Sequence, residues 1–267
     1  MYCFRKKSLD PKKTALFFGE ETEPESVIDM ETEKPALYII ATPIGNLGDI
    51  SHRALRLLGE LEALACEDTR VTPKILARYG IKRPRIMFSY HEHNEMRASG
   101  RVLDLLSQGM SVGLCSNAGT PGISDPGFRA IRAAIENGFP VVPVPGASAV
   151  TSALVASGLP ASSYTFLGFP SRKSGKRLRM IEQEAESPHT LIFYESPHRL
   201  GAFLADAFNE LGDRRAAVAI ELTKKFEEIH HGWLGELAEL FANEKVRGEV
   251  TVVIAGNNPK FMRQPEE

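Results

Sequence analysis

Apolar and polar positions along this chain form short blocks whose period changes in a regular way. Ala36 to Ala41 is a continuous apolar run of strand length. Thr42-Pro-Ile-Gly-Asn-Leu-Gly-Asp49 breaks it, and Ile50 to Leu61 returns to helical spacing, with Asp49 or Ser51 as the cap. Glu62 to Cys66 predicts a second strand ended by Glu67-Asp-Thr-Arg70, and Val71 to Tyr79 a helix closed by Gly80. Arg85 to Ser89 predicts a third strand, then comes Tyr90-His-Glu-His-Asn-Glu95 and a helix from Glu95 to Gln108. Ser111 to Cys115 is the fourth strand. Asp125 as N-cap and Pro126 at the first helical position open a helix to about Asn137, stopped by Gly138. Pro140 to Val144 is the fifth strand, and Pro145-Gly-Ala-Ser148 opens another helix.

Strand and helix thus alternate five times, which predicts a mostly parallel sheet covered on both faces. The polar clusters recur at the C-terminal ends of strands, where open α/β sheets bind ligands. After Tyr164 the rhythm changes. Strands are predicted at Tyr164 to Gly168, Thr190 to Tyr194, Arg215 to Leu222, Glu227 to Gly232 and Glu249 to Ala255. Helices are predicted at Ser174 to Glu186, Pro197 to Leu211 and Leu234 to Asn243. Strands that follow one another this closely point to a mixed or antiparallel sheet. The expected organisation is a two-lobed α/β protein with a cleft between the lobes. Residues 35–148 form the first lobe and 149–257 the second, with the crossing near Gly146 to Gly158. Residues 1–34 turn from basic to acidic without sustained periodicity and read as a mobile extension, with Met30 as a second possible start. Residues 258–267 read as a frayed polar tail.

Composition changes this picture little. Apolar residues make up 43% and charged residues 25%, ordinary values for a soluble domain. A formal net charge of -2 gives no global basic field. Cys3, Cys66 and Cys115 are widely spaced, which supports neither a disulfide framework nor a cysteine-rich zinc site and suits a reducing cytoplasm. No apolar run approaches the roughly 20 residues of a membrane span.

Candidate chemistry centres on Gly113 to Gly127, GLCSNAGTPGISDPG. Its four glycines and two prolines leave backbone exposed, as close approach of a polar ligand requires, although the same residues also build plain turns. Familiar nucleotide motifs are missing. No strand is followed by G-x-G-x-x-G. Pro170-Ser-Arg-Lys-Ser-Gly-Lys176 lacks the first glycine of a phosphate loop and carries Arg177 where a hydroxyl would hold magnesium. His91-Glu-His93 with Glu95 has no third histidine at a metal-ligand spacing, so no metal is expected. Ser196-Pro-His198 is not a nucleophile elbow. Arg172, Lys173, Lys176, Arg177 and Arg179 put five cations within eight residues, either a solvated helix face or a contact surface for RNA phosphates.

Several stretches then converge in order: Ile40 to Leu47, Glu67 to Arg70, His93 to Glu95, Ala118 to Pro121 with Ile123 to Gly127, Pro145 to Ser148, Phe193 to Arg199, and Glu221 to Lys224. Together they resemble the bacterial ribosomal RNA small-subunit methyltransferase I family, of the tetrapyrrole methylase fold superfamily, over about Ala36 to Ala255. The resemblance implies S-adenosylmethionine as donor in the cleft, a homodimer, and methylation of the ribose 2′-oxygen of a cytidine, within the small subunit. It also implies a donor site made of Pro43, Ile44, Gly45, Asn46, Ser116, Asn117, Ala118, Gly119, Thr120, Pro121, Pro145, Gly146, Ala147 and Ser148. Leu167, Tyr194 and Leu222 would contribute from the second lobe. Asp68 and Lys224, with Glu67 and Glu195, are the candidates for the proton-handling group. The chain departs from the family pattern at Asn117, usually Asp, at Gly122, usually larger and apolar, and at Ile220, often Arg. A tetrapyrrole C-methyltransferase and a non-catalytic donor-binding RNA partner remain as alternatives.

Overall fold

The computed structural model describes residues 35–263, so the expected N-terminal extension and the last four residues lie outside the described part. These residues belong to one compact unit carrying two five-stranded sheets. In the first half β1 (Leu37–Ile40), α1 (His52–Glu60), β2 (Ala63–Cys66), α2 (Thr72–Arg78), β3 (Ile86–Ser89), α3 (Glu95–Ser107), β4 (Val112–Cys115), α4 (Phe128–Glu136) and β5 (Val141–Val144) follow one another. The strand order is β3-β2-β4-β1-β5 and every pairing is parallel. Alternate side chains feed two cores, as the period of two requires. Leu37 and Ile39 pack with α3 and α4 through Val102, Leu106 and Ala134. Ile40 and Leu64 pack with α1 and α2 through Leu57, Leu58 and Leu76. Because all five strands run the same way, the loops after them gather at one edge.

The chain passes to the second sheet through α5 (Ala149–Ser157). Then come β6 (Tyr164–Gly168), α6 (Ser174–Glu182), β7 (Thr190–Glu195), α7 (Leu200–Leu211), β8 (Arg215–Ile220), β9 (Glu228–Trp233), α8 (Leu234–Phe241) and β10 (Val250–Ile254). The order is β6-β7-β10-β8-β9, with β6 and β7 parallel and the other pairs antiparallel. The mixed sheet expected from the spacing is therefore present. One face packs on α7 and α8 through Phe193, Phe203 and Leu237, with the Phe193 and Phe203 rings 5.0 Å apart. The other packs on α5 through Val150, Leu154, Ile192 and Val253, joined by Ile44 from the first half.

Three expectations need correction. Asp125 and Pro126 do not start α4, which begins at Phe128 after Gly127. The start of α4 is instead held by the first residue of α3 and the segment before it: Glu95 Oε1 accepts from Gly127 N at 3.2 Å and Arg129 N at 3.3 Å, and Tyr90 Oη accepts from Ala130 N at 3.0 Å. The α6 helix stops at Glu182 rather than Glu186. The tail is not frayed through residue 263. Arg263 Nη1 pairs with Asp213 at 3.2 Å, its guanidinium lies over Trp233, and Met262 bridges to Arg214.

Candidate functional site

The strand-end loops wall a cavity of about 500 Å³ that also takes in residues of the second sheet. The loop after β4 is tied to the loop after β1. Thr42 N donates to Gly119 O at 2.9 Å, Gly119 N returns the bond to Thr42 O at 3.0 Å, and Thr42 Oγ1 donates to Ser116 O at 3.2 Å. Gly122 sits at φ +86°, in the left-handed region that glycine enters freely, so the larger residue usual in the family would be strained in this turn. Across the cleft, Asn46 N donates to Thr223 Oγ1 at 3.1 Å. A Cβ on Gly45 would sit 2.3 Å from Lys224 Cγ, so the two loops approach as closely as they do only through glycine.

Of the donor-site residues expected from the sequence, Ile44, Asn117, Ala118, Gly119, Thr120, Ser148 and Tyr194 line the cavity. Pro43, Gly45, Asn46, Ser116, Pro121, Pro145, Gly146, Ala147, Leu167 and Leu222 are not in its wall. Ser116 and Leu222 are buried behind it, and Ser116 Oγ donates to Ala118 O at 3.3 Å. Asn117 N donates to Glu67 Oε2 at 2.9 Å, while Asn117 Oδ1 is buried without a partner.

Four carboxylates line the cavity, Glu67, Asp125, Glu195 and Glu249, and among the described residues no Lys, Arg or His does. Asn117 therefore does not leave the site without negative charge. Glu195 Oε1 accepts from Ser196 N at 2.6 Å and pairs with Arg199 Nη2 at 2.5 Å, and Oε2 is buried without a partner. Burial pushes the Glu195 carboxyl up, and the bonds from Ser196 and Arg199 only partly offset this. Burial, then the Glu67 charge, pushes Asp125 up to about 6. Burial, reinforced by the charge of Asp125, takes the Tyr194 phenol up to about 12.

Asp68 and Lys224 stand differently from the expectation, because neither lines the cavity. Asp68 is clamped by Arg70, whose Nη2 lies 2.7 Å from Oδ2, and these hydrogen bonds hold its carboxyl at about 2. A carboxylate held so low is a poor proton acceptor. Lys224 Nζ donates to Glu221 Oε1 at 2.7 Å and to Glu249 Oε2 at 3.1 Å. Burial works to lower the Lys224 ammonium, but these two bonds outweigh it and its pKa is raised. Lys224 therefore positions Glu249 as a fixed cation.

The basic helix is also not uniform. Arg177 is 8% exposed and turns inward, its Nε 2.6 Å from Asp206 Oδ2, so it leaves the proposed RNA-contact set. Arg172, Lys173, Lys176 and Arg179 remain exposed. A second cavity, of about 540 Å³, shares Pro197 with the first and is lined by His198, Lys245 and Arg247 together with Glu244 and apolar residues.

Sequence reasoning placed Ser124 and Asp125 in the candidate ligand loop, though not among the donor-site residues, and missed Phe169, Ser196 and Pro197, and Gly248 to Thr251, all in the cavity wall. Glu249 to Thr251 begin a strand, where a parallel sheet would point them away from the site. Here β10 runs antiparallel to β7 and β8, with Val250 opposite both Glu195 and Ile220, so its start meets their ends. Phe169 follows β6 and is 59% exposed at the rim, its ring 5.4 Å from Tyr194. A phenylalanine next to a glycine just after a predicted strand was the available signal.

Residues 36–238 match the model of the tetrapyrrole (corrin/porphyrin) methylases. A ribosomal RNA small subunit methyltransferase I from Mesorhizobium japonicum is 48% identical over 83% of this chain and 75% of its own. The proteins of that name from Pseudomonas aeruginosa and Halalkalibacterium halodurans are 47% and 43% identical, over 82% and 88% of this chain and 78% and 80% of theirs. A crystal structure of diphthine synthase shares the fold with a TM-score of 0.61 at 18% identity, covering 82% of this chain and 90% of that one. A uroporphyrin-III C-methyl transferase from Thermus thermophilus complexed with S-adenyl homocysteine does so with a TM-score of 0.56 at 20% identity, covering 82% and 97%. The chain is a methyltransferase that belongs to the tetrapyrrole (corrin/porphyrin) methylase family, among the proteins named ribosomal RNA small subunit methyltransferase I.

Proposed function

We propose that this chain transfers a methyl group from S-adenosylmethionine to the ribose 2′-oxygen of a cytidine in small-subunit ribosomal RNA. It acts in the cytoplasm, as a homodimer, on the assembled subunit. The observation that carries the reading is a contrast of charge. The catalytic cavity is acidic, whereas the surfaces beside it carry exposed cations. A donor with a sulfonium and an ammonium fits an acidic wall, and a polyanionic acceptor fits cationic flanks. The orphaned Asn117 Oδ1 and Glu195 Oε2 are polar atoms that such a donor would satisfy.

When bound, the donor supplies an already activated methyl group, so the protein's contribution is placement, charge and proton handling. Asn117, Gly119 and Ser148 would hold the donor from the first half and Tyr194 from the second. Phe169 would stack a base at the rim, as exposed aromatics do for unpaired nucleotides. The C-methylation alternative loses ground because relatives at 43–48% identity carry the ribosomal RNA name.

The direct check supplies methyl-labelled S-adenosylmethionine and small subunits from a strain lacking the modification. Label should appear in 2′-O-methylcytidine after nuclease digestion. Label on a base, or none at all, would refute the reading. A second expectation concerns salt. Alanine at Arg172, Lys173, Lys176 and Arg179 should flatten the plot of log affinity for RNA against log salt by about 0.7 per lost phosphate contact. Donor affinity should stay unchanged. An unaltered slope would remove α6 from the RNA surface.

A further inference from the structure

We propose that the second cavity is a phosphate site: it seats the phosphodiester beside the target nucleotide and so fixes the register of the RNA against the donor. The inference rests on the reading above that the acceptor is a ribose of RNA. The charged lining of this cavity is opposite in sign to that of the donor cavity. Lys245, Arg247 and His198 line it, and among the described residues Glu244 is its one acid. All four are exposed, and neither Lys245 nor Arg247 has an ion-pair partner among the described residues. Phe241 and Val246, both buried, complete the lining with apolar surface on which a sugar can rest. The first turn of α7 adds to the field. Gly201 and Ala202 line the cavity, Arg199 at the cap offers them no side-chain bond, and their amides have no acceptor among the described residues.

Rigid connection to the donor cavity makes this a register site rather than one more basic patch. The two cavities divide at the same two points of the chain. Tyr194 to Pro197 line the first, and Pro197 and His198 the second. Gly248 to Thr251 line the first, and Glu244 to Arg247 the second. Both junctions are braced. At one, Arg199 N donates to Ser196 O at 2.9 Å while the guanidinium pairs with Glu195 at 2.5 Å. At the other, Gly248 turns at φ +91°, and a Cβ there would fall 2.1 Å from Glu221 Oε1. Glu249 N donates to Glu221 Oε1 at 3.0 Å, and Glu221 N donates to Glu249 O at 2.9 Å. A phosphate seated on Lys245 and Arg247 is therefore held at a set distance from a ribose in the first cavity. The acidic wall of that cavity repels phosphate, so the charge of the strand stays on one side of the boundary and the reacting sugar on the other. Such placement matters for an in-line transfer, where a shift of about 1 Å can cost on the order of 10²-fold in rate.

The test uses the full-length protein, methyl-labelled S-adenosylmethionine and small subunits lacking the modification. The double variant Lys245→Ala/Arg247→Ala is compared with wild type. Its affinity for subunits should fall on the order of 10-fold at physiological salt, and the plot of log affinity against log salt should flatten by about 1.4, or about 0.7 for each of two phosphate contacts. The single-turnover rate with subunits in saturating excess should fall as well, by about 10- to 100-fold. Donor affinity by calorimetry and Tm should match wild type, because neither cation lines the donor cavity or holds an ion pair among the described residues. Lys245→Arg/Arg247→Lys keeps both charges and should recover most of the affinity. Glu244→Gln removes the opposing charge and should raise affinity. If the double variant melts low, the single variants Lys245→Ala and Arg247→Ala give the same readings with half the change in slope. An unchanged slope overturns the phosphate contact, and a saturating rate equal to wild type overturns the register role. Affinity lost for intact subunits but kept for protein-free small-subunit RNA also overturns the proposal, since the cavity would then take an acidic ribosomal protein. Wild type that labels no ribose overturns the functional reading itself, whereas labelled ribose with unaffected variants overturns this proposal alone.

Discussion

Glu195→Ala is expected to lower stability by about 3–5 kcal/mol, toward the lower figure because its partner is not fully buried. The Glu195 side chain is 0% exposed and that of Arg199 is 22% exposed. Removing the carboxylate leaves the guanidinium with the Pro170 carbonyl at 3.3 Å and strands the Ser196 N–H at the cavity wall. In a unit of this size the loss corresponds to a drop in Tm of about 6–20 °C. Glu195→Gln keeps an acceptor for Ser196 and should fall between the two. Thermal melts of the three proteins decide it, and a loss under about 1 kcal/mol would mean that solvent already screens the pair.

The second large effect is steric. Gly201 lies in the first turn of α7, where a Cβ would meet Phe241 O at 2.4 Å and Phe241 C at 3.1 Å. These are backbone atoms at the end of α8, so they cannot swing aside. Gly201→Ala should destabilise by about 1–3 kcal/mol, as overpacking does. The internal control is Gly175 in α6, where an added Cβ meets nothing within 4 Å. Gly175→Ala should be neutral or stabilise by up to about 1 kcal/mol, because alanine is the better helix former. Equal Tm shifts for the two variants would show that helix propensity, not the α7–α8 approach, sets the outcome.

Much of the fold was legible because its signals are local. Strand-length apolar runs such as Ala36 to Ala41, and stops such as Gly80 and Gly138, predict where elements lie. Alternation of strand and helix implies a parallel sheet, and parallel strands collect their following loops at one edge. That is why Asn117 to Thr120, Ile44 and Ser148 could be grouped from sequence and do line one cavity. The misplaced start of α4 has a local cause too. Asp125-Pro126 is a favourable cap pair, but Glu95 and Tyr90, distant in sequence, anchor the first turn two residues later and leave Asp125 in the cavity wall.

The sequence by itself determined the order of the elements, the parallel first sheet, the mixed second one and the family. These follow from periodicity and from short motifs read in order. Only the tertiary structure decided which charges face the ligand space. Arg177 looks available in sequence, but Asp206, on α7, takes it. Glu249 looks like the start of an ordinary strand, but antiparallel pairing carries it to the site. Asp125 reads as a helix cap, but it lies in the cavity wall, where burial and the neighbouring Glu67 charge raise its carboxyl to about 6. The physical reason is range. Turn and strand preferences act over a few residues, whereas the partners that take Arg177 and Glu249 come from elements tens of residues away.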